Sequence, residues 1–483
     1  MPRLAWFTPL PSVGAGIASY NLELLPALAS THQIEIFVDG LPARFACPAA
    51  DTPVFSAHDF VWKHRQHSYD LIVYQLGNAP CHDYMWAYLV RYPGLVVLQD
   101  GQLHHARARS LLQQQRADDY RCEFQFNHPE AVVDLAELGV AGCLGALADF
   151  WPMRRIVVES ARLIVVHNDW LAAQLREEHP TGRVDVVDRG VPAPVVGPDA
   201  NATVRNRHGI PADAVLFAAF GRVTSEKRIA QAIRGLVSIV DAVPDAHLLL
   251  VGEASEDYDP WADACALGVQ KKVTMAGFVP DEEMGDYLGA ADVCLCMQWP
   301  SSRETSASWL RCLAAGRPTI ITDLVHTVDI PALDPRTWTL LHAPQPRSVS
   351  EKREHAPGRP APPAKNGGGE SGSVDAVCVS IDIVDEDHSL RLAMRRLATD
   401  ARLRAALGRR ARGLWMERFT LERMVIGYRN VIETACAAPL PDAALRARWP
   451  EHFLTDGTEH ATSLLRHLEL SELRIAEIWR RTE

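Results

Sequence analysis

At 483 residues the chain is too long for one hydrophobic core, and length alone divides it into two domains. Its 47% apolar and 23% charged residues are ordinary for a folded globular protein. A net charge of −11 argues against general nucleic-acid binding, which needs a cationic face, and against broad contact with anionic lipid.

No run approaches the ~18 unbroken apolar residues of a membrane span. Leu4-Ala5-Trp6-Phe7 is too short, and lacks the basic lead, for a signal peptide. The expected compartment is the cytoplasm, with room for peripheral contact at the inner face of the membrane through a local basic patch. Ten cysteines are scattered, and only Cys294 and Cys296 lie close together, on one side of a strand-like run. No Cys/His spacing matches a zinc module, so buried free thiols are expected, with no metal site.

In chain order, residues 3–7 read as a buried strand. A glycine-bearing turn follows through Gly14 and Gly16, then a helix from about Ile17 with Leu22, Leu25 and Leu28 on one stripe, then a strand over His32–Val38. This β–loop–α–β opening belongs to a doubly wound α/β sheet, whose ligands sit beyond the carboxyl ends of its strands. Three further apolar runs end in polar residues: Leu71–Tyr74 before Gln75 and Asn78; Leu95–Leu98 before Gln99, Asp100, His104 and His105; Leu163–Val166 before His167. Such groups can hold sugar hydroxyls, although any one of them alone is more often structural.

After Val184–Val187, a Pro- and Gly-rich run from Pro192 to Pro198 reads as a linker, with the boundary near residue 195. Domain one is then 1–195 and domain two 196–415, followed by a helical region 416–483. Strands are expected at Val215–Phe220, His247–Val251, Val273–Ala276, Val293–Met297, Thr319–Thr322 and Val377–Ile383. Residues 342–373, rich in Pro, Gly and charge, are expected to be a disordered surface insertion. An Arg-rich helix over Leu403–Phe419 reads as a solvated face, and Asp382, Asp385 and Asp387 as a solvated loop.

The second domain holds the strongest chemical signal. The strand at 215–220 stops at Gly221, and Arg222, Lys227 and a new helix N-terminus follow. The run Glu304-Thr305-Ser306-Ala307-Ser308 opens a helix that ends at Gly316-Arg317-Pro318. Backbone donors at strand ends and helix starts, reinforced by cations, suit an anion. A nucleotide diphosphate is the expected ligand.

At Phe220–Arg228 and Arg303–Pro318 the sequence resembles the retaining glycosyltransferases of family 4, over most of residues 1–435, and looks like a bacterial subgroup of them. The resemblance implies a GT-B fold, two Rossmann-like domains facing across a cleft, with a late helix, Phe419–Ala435, crossing back. It implies transfer of a sugar from a nucleotide-diphosphate donor, a substrate rather than a resident cofactor, to a glycan, lipid-linked or small-molecule acceptor, without a metal. Arg222, Lys227, Glu304 and Asp100 become the candidate catalytic residues. Gly16, Gly221, Phe278, Val279, Thr305, Ser306, Ala307, Ser308 and Arg311 become donor-binding; Asn78, Gln99, His104, His105 and His167 lie on the acceptor side.

Two departures stand out. The family's Glu-x7-Glu pair falls on Arg303 and Arg311, with Glu304 one residue out of register. If the helix began early enough, Glu304 and Arg311 would share a face and could pair. Gln99 stands where many relatives carry histidine. A sugar-nucleotide epimerase using Asp100, His104 and His105, and a non-catalytic binding protein, remain alternatives.

Overall fold

The computed structural model describes residues 1–10, 16–40, 52–301, 304–341 and 375–455. Its contacts define two units. One contains Met1–Val166, Ala172–Val186 and the residues from Arg429 onward; the other contains His167–Leu171 and Val187–Tyr428. The insertion expected at 342–373, the whole tail beyond 455, and Arg303 lie outside the described residues.

The first unit is built on a seven-stranded parallel sheet of β1 (Arg3–Phe7), β2 (Gln33–Val38), β3 (Val54–Ser56), β4 (Leu71–Leu76), β5 (Leu95–Leu98), β6 (Leu163–Val166) and β7 (Val184–Val186). The order is β3-β2-β1-β4-β5-β6-β7, so the winding reverses between β1 and β4. These strands are apolar on both faces because helices cover both, which explains the unbroken Leu, Ile and Val runs. Phe7 stacks on Phe37 at 5.3 Å and meets Phe60 edge-on at 5.0 Å.

The second unit repeats the plan with β8 (Leu216–Phe220), β9 (His247–Val251), β10 (Val273–Gly277), β11 (Val293–Cys296), β12 (Thr319–Thr322), β13 (Ala332–Leu333) and β14 (Cys378–Ile381). Their order is β10-β9-β8-β11-β12-β14-β13, all parallel, with the reversal between β8 and β11. Along β8, Phe217 and Ala219 enter one core, while Leu216, Ala218 and Phe220 enter the core on the opposite face. The loop following β8 at Gly221 therefore leaves the sheet at its switch point, where an open α/β sheet leaves a crevice.

Sequence periodicity missed β3 and β13, which are three and two residues long, too short to show alternation. The strand expected to reach residue 383 stops at Ile381, because the Asp382 carboxylate accepts from Val384 N at 2.9 Å and starts a turn into the helix Glu386–Thr399. The cysteines of the described residues are free thiols, but only Cys294, Cys312 and Cys378 are buried. Among the described residues no helix is long and apolar enough to cross a membrane, and no group of three or more His, Cys, Asp or Glu is placed to hold a metal ion.

Candidate functional site

The chain leaves β8 through Gly221 at φ +89°, a conformation that disfavours any side chain. The loop is then pinned to the one after β9: Val223 N donates to Glu253 O at 2.8 Å, and Ser255 N donates to Val223 O at 2.9 Å. That contact is close enough that a Cβ on Gly252 would collide with Gly221 O. A single 3₁₀ turn, Ser225–Lys227, follows, and Arg228 adopts φ +59°. The left-handed turn at Arg228 is held by a two-pronged pair with the Glu386 carboxylate, 2.8 Å at Nε. Lys227 is thereby folded back over the strand end, where its Nζ donates to Phe220 O at 2.6 Å.

The second loop arrives from β11. Ser306 caps the helix Ala307–Ala314, its Oγ accepting from Trp309 N at 3.4 Å. The helix buries Trp309, Leu310, Cys312, Leu313 and Ala314, while Ser308 and Arg311 stay on its partly open side. The two loops converge at Gly221: a Cβ built there would lie 2.5 Å from Lys227 Nζ and 3.2 Å from Ser308 Oγ. An ammonium, a hydroxyl and a helix start thus meet around the one residue that has no side chain. Burial lowers the Lys227 pKa below that of an ordinary lysine. Arg222 is exposed on the same loop.

Glu304 lies before the helix, not within it, so it shares no helical face with Arg311; Arg311 instead pairs with Asp281, Nη1 to Oδ1 at 3.0 Å. Desolvation raises the Glu304 carboxyl above the ordinary carboxylate range, and the Arg189 guanidinium offsets part of that. Glu304 lines a pocket with His167, Asn168, Asp188, Arg418 and Asp329, all in the second unit. Thr305 Oγ1 donates to His167 O at 3.1 Å, and the His167 ring engages Val187 O through Nδ1 at 2.8 Å. Burial drops the His167 pKa to about 4, so the ring is neutral. Phe278 is 72% exposed after β10, whereas Val279 is buried in the core.

In the first unit the polar strand ends are turned onto one another. Gln99 Nε2 donates to Gln75 Oε1 at 2.7 Å; Asn78 Oδ1 accepts from Ala106 N at 2.8 Å; Asp100 Oδ1 accepts from Gln102 N at 2.7 Å. His104 has both ring nitrogens occupied, Nδ1 by Trp151 O at 2.8 Å and Nε2 by the Tyr120 hydroxyl at 2.7 Å, and burial lowers its pKa to about 4. Both ring nitrogens of His104 are thus engaged within the first unit. His105 is exposed, with Asp149 3.8 Å away. Gly16 opens the helix Gly16–Ala29.

Asp188, Asp329 and Arg418 were missed. Arg418 comes from the Arg-rich helix read as a solvated face, yet it pairs with Asp329 at 2.9 Å and with Asp188 at 3.4 Å. Arg412, on the same helix, donates to Ala314 O at the buried carboxyl end of the helix Ala307–Ala314. These partners lie far apart in sequence, and no spacing rule signals them. The Asp382–Asp387 cluster likewise makes exposed pairs with Arg336 and Arg234.

Two doubly wound seven-stranded parallel sheets give this chain the GT-B glycosyltransferase fold. Comparison with known proteins adds detail. Residues 214–351, which contain the β8 and β11 loops, match the family model for Glycosyl transferases group 1. A 2-deoxystreptamine glucosyltransferase from Streptomyces kanamyceticus is 28% identical over 117 residues, 24% of this chain and only 30% of that relative's length. Among solved structures, sucrose-phosphate synthase from Thermosynechococcus elongatus is similar at TM-score 0.58 and 15% identity, over 91% of this chain and 100% of that one. HepE from Anabaena, crystallised with UDP and glucose, gives TM-score 0.57 at 13% identity, over 90% and 100% of the two chains. At these identities the likeness is one of fold.

Proposed function

We propose that this protein is a retaining glycosyltransferase that moves a sugar from a nucleotide-diphosphate donor to a glycan, lipid-linked or small-molecule acceptor. The observation that carries the reading is the convergence of Lys227 Nζ and Ser308 Oγ on Gly221 at the switch point of the second sheet. In such a transfer the bond from the anomeric carbon to the β-phosphate oxygen breaks and the acceptor oxygen takes its place. Negative charge grows on the departing diphosphate, and donors fixed in advance around it are worth most in the transition state. Lys227 and Ser308, with the amides of Thr305–Ser308, supply that environment, and Arg222 adds charge at the rim. The raised carboxyl of Glu304 faces the adjoining pocket, where it can hold a sugar hydroxyl.

The complex of HepE with UDP and glucose supports a nucleoside diphosphate as the ligand class. Retention comes from the family resemblance and implies attack on the face the leaving group departs from, with the acceptor proton passing to the released phosphate. No ion is needed for this charge balance, so turnover should survive EDTA.

The test is a panel of UDP-, GDP- and ADP-sugars with product analysis by NMR. A transferred sugar with its anomeric configuration kept supports the reading. A donor changed at one sugar carbon without any acceptor would make the protein an isomerase. Binding of none of the corresponding nucleoside diphosphates would end the reading.

A further inference from the structure

We infer that the Asp281 carboxylate, aimed by Arg311, is the group that reads the ribose of the nucleotide. The inference rests on the diphosphate site proposed above and extends it by one sugar ring.

The helix Ala307–Ala314 starts at the phosphate end, with Ser308 beside Gly221. Arg311 is three residues on, on the same helix face and about 4.5 Å further along the axis. There its guanidinium holds Asp281 Oδ1 at 3.0 Å, while the Asp281 side chain is still 58% exposed. Asp281 is the first residue of the helix Asp281–Ala290, and Phe278, a residue 72% exposed, lies three residues before it.

A nucleoside diphosphate has the same sequence of chemistries: an anion, then a vicinal diol, then a flat aromatic base. An ionised carboxylate accepts from both hydroxyls of a diol, and acidic side chains read ribose this way in other doubly wound folds. Arg311 itself has no acceptor and cannot take that role; its place is to fix the carboxylate. Without a ligand, an exposed pair of this kind contributes little to stability, so fold maintenance is a weak reason for it.

The experiment is isothermal titration of the full chain with UDP, GDP and ADP and with their 2′,3′-dideoxy counterparts. For the diphosphate that binds, the wild type should prefer the ribose form by roughly tenfold or more, the scale of charge-assisted hydrogen bonds to a diol. In Asp281→Asn that preference should collapse to about twofold, with the melting temperature unchanged because the side chain is largely exposed. Arg311→Met should reduce the preference in part. Lys227→Ala should weaken both forms alike and leave their ratio intact.

If a diphosphate binds but the wild type does not distinguish the two forms, or Asp281→Asn keeps the distinction, the inference is overturned and the diphosphate site stands. If no diphosphate binds, both fall together.

Discussion

The two sheets are near copies in plan, yet their polar strand ends are used in opposite ways. In the first unit Gln75, Gln99, Asn78 and His104 hydrogen-bond one another, the helix 104–113, or distant turns. In the second, Lys227, Ser308 and Glu304 gather around a glycine and a pocket. Polar residues at the carboxyl edge of a sheet are therefore not equivalent evidence for a ligand. What separates the cases is where the groups gather: the first unit's bond mainly to one another and to nearby backbone, although Gln99 Oε1 is left buried without a partner among the described residues, whereas the second unit's converge on a glycine and a pocket.

The largest expected effect strikes both units at once. Burial holds His82, His104, His167 and His247 at about 4, so each is neutral when folded and takes a proton more readily when unfolded. The folded-state values lie below the unfolded value of ~6.5, so stability is full above that pH and is lost as pH falls towards 4. Each ring contributes a slope approaching ~1.4 kcal/mol per pH unit in that window. Urea denaturation at pH 7.5, 6 and 5 measures it, and a flat midpoint would show that these rings charge freely in the native state.

Next comes Lys227→Ala, which should cost roughly 10²-fold in turnover, the size of losing one transition-state donor. Its melting temperature should fall only modestly, because losing the bond to Phe220 O is offset by removing a desolvated ammonium, and turnover is compared where both proteins are folded. Near-normal turnover would remove Lys227 from the chemistry and with it the contrast between the units. Because burial lowers its pKa, diphosphate affinity should also fade on the alkaline side earlier than an ordinary lysine allows.

The architecture was largely legible in the sequence because parallel strands covered on both faces must be continuously apolar, and ten or more such runs alternate with helices here. The strand-end glycine and the cations after it were legible for the same local reason, since Gly221 and Lys227 are only six positions apart. The partners of Arg418, the pairing of Arg311 with Asp281 rather than Glu304, and the closure of His104 were not. Each is set by which elements the winding places side by side. The Glu304–Arg311 expectation failed on a boundary: Ser306 caps the helix, so residue 304 is outside it.

The mirror image of the lysine experiment is His104→Ala. It leaves the Tyr120 hydroxyl and Trp151 O without their ring partner and opens a small void, at a cost of about 1–3 kcal/mol. Stability should fall while diphosphate affinity holds, since the diphosphate loops belong to the other unit. If the variant kept its stability, the first unit's polar ends would not be serving the fold.

The smallest effect tests how the phosphate loop is posed. Arg228 sits at φ +59°, where a residue with a Cβ bears roughly 1–2 kcal/mol of strain, and glycine would relieve it. The same change removes the guanidinium from Glu386, which is buried to 8% side-chain exposure and would be left without its bidentate partner. Stranding a carboxylate at such a site costs on the order of 3 kcal/mol, slightly more than the strain returned. Arg228→Gly should therefore destabilise by about 1 kcal/mol in urea titration. Adding Glu386→Gln to it should restore stability to near or above the wild type, because the buried charge is gone and the relaxed backbone remains. If the double variant stays as weak as the single one, the pair is not what holds the turn that folds Lys227 back over β8.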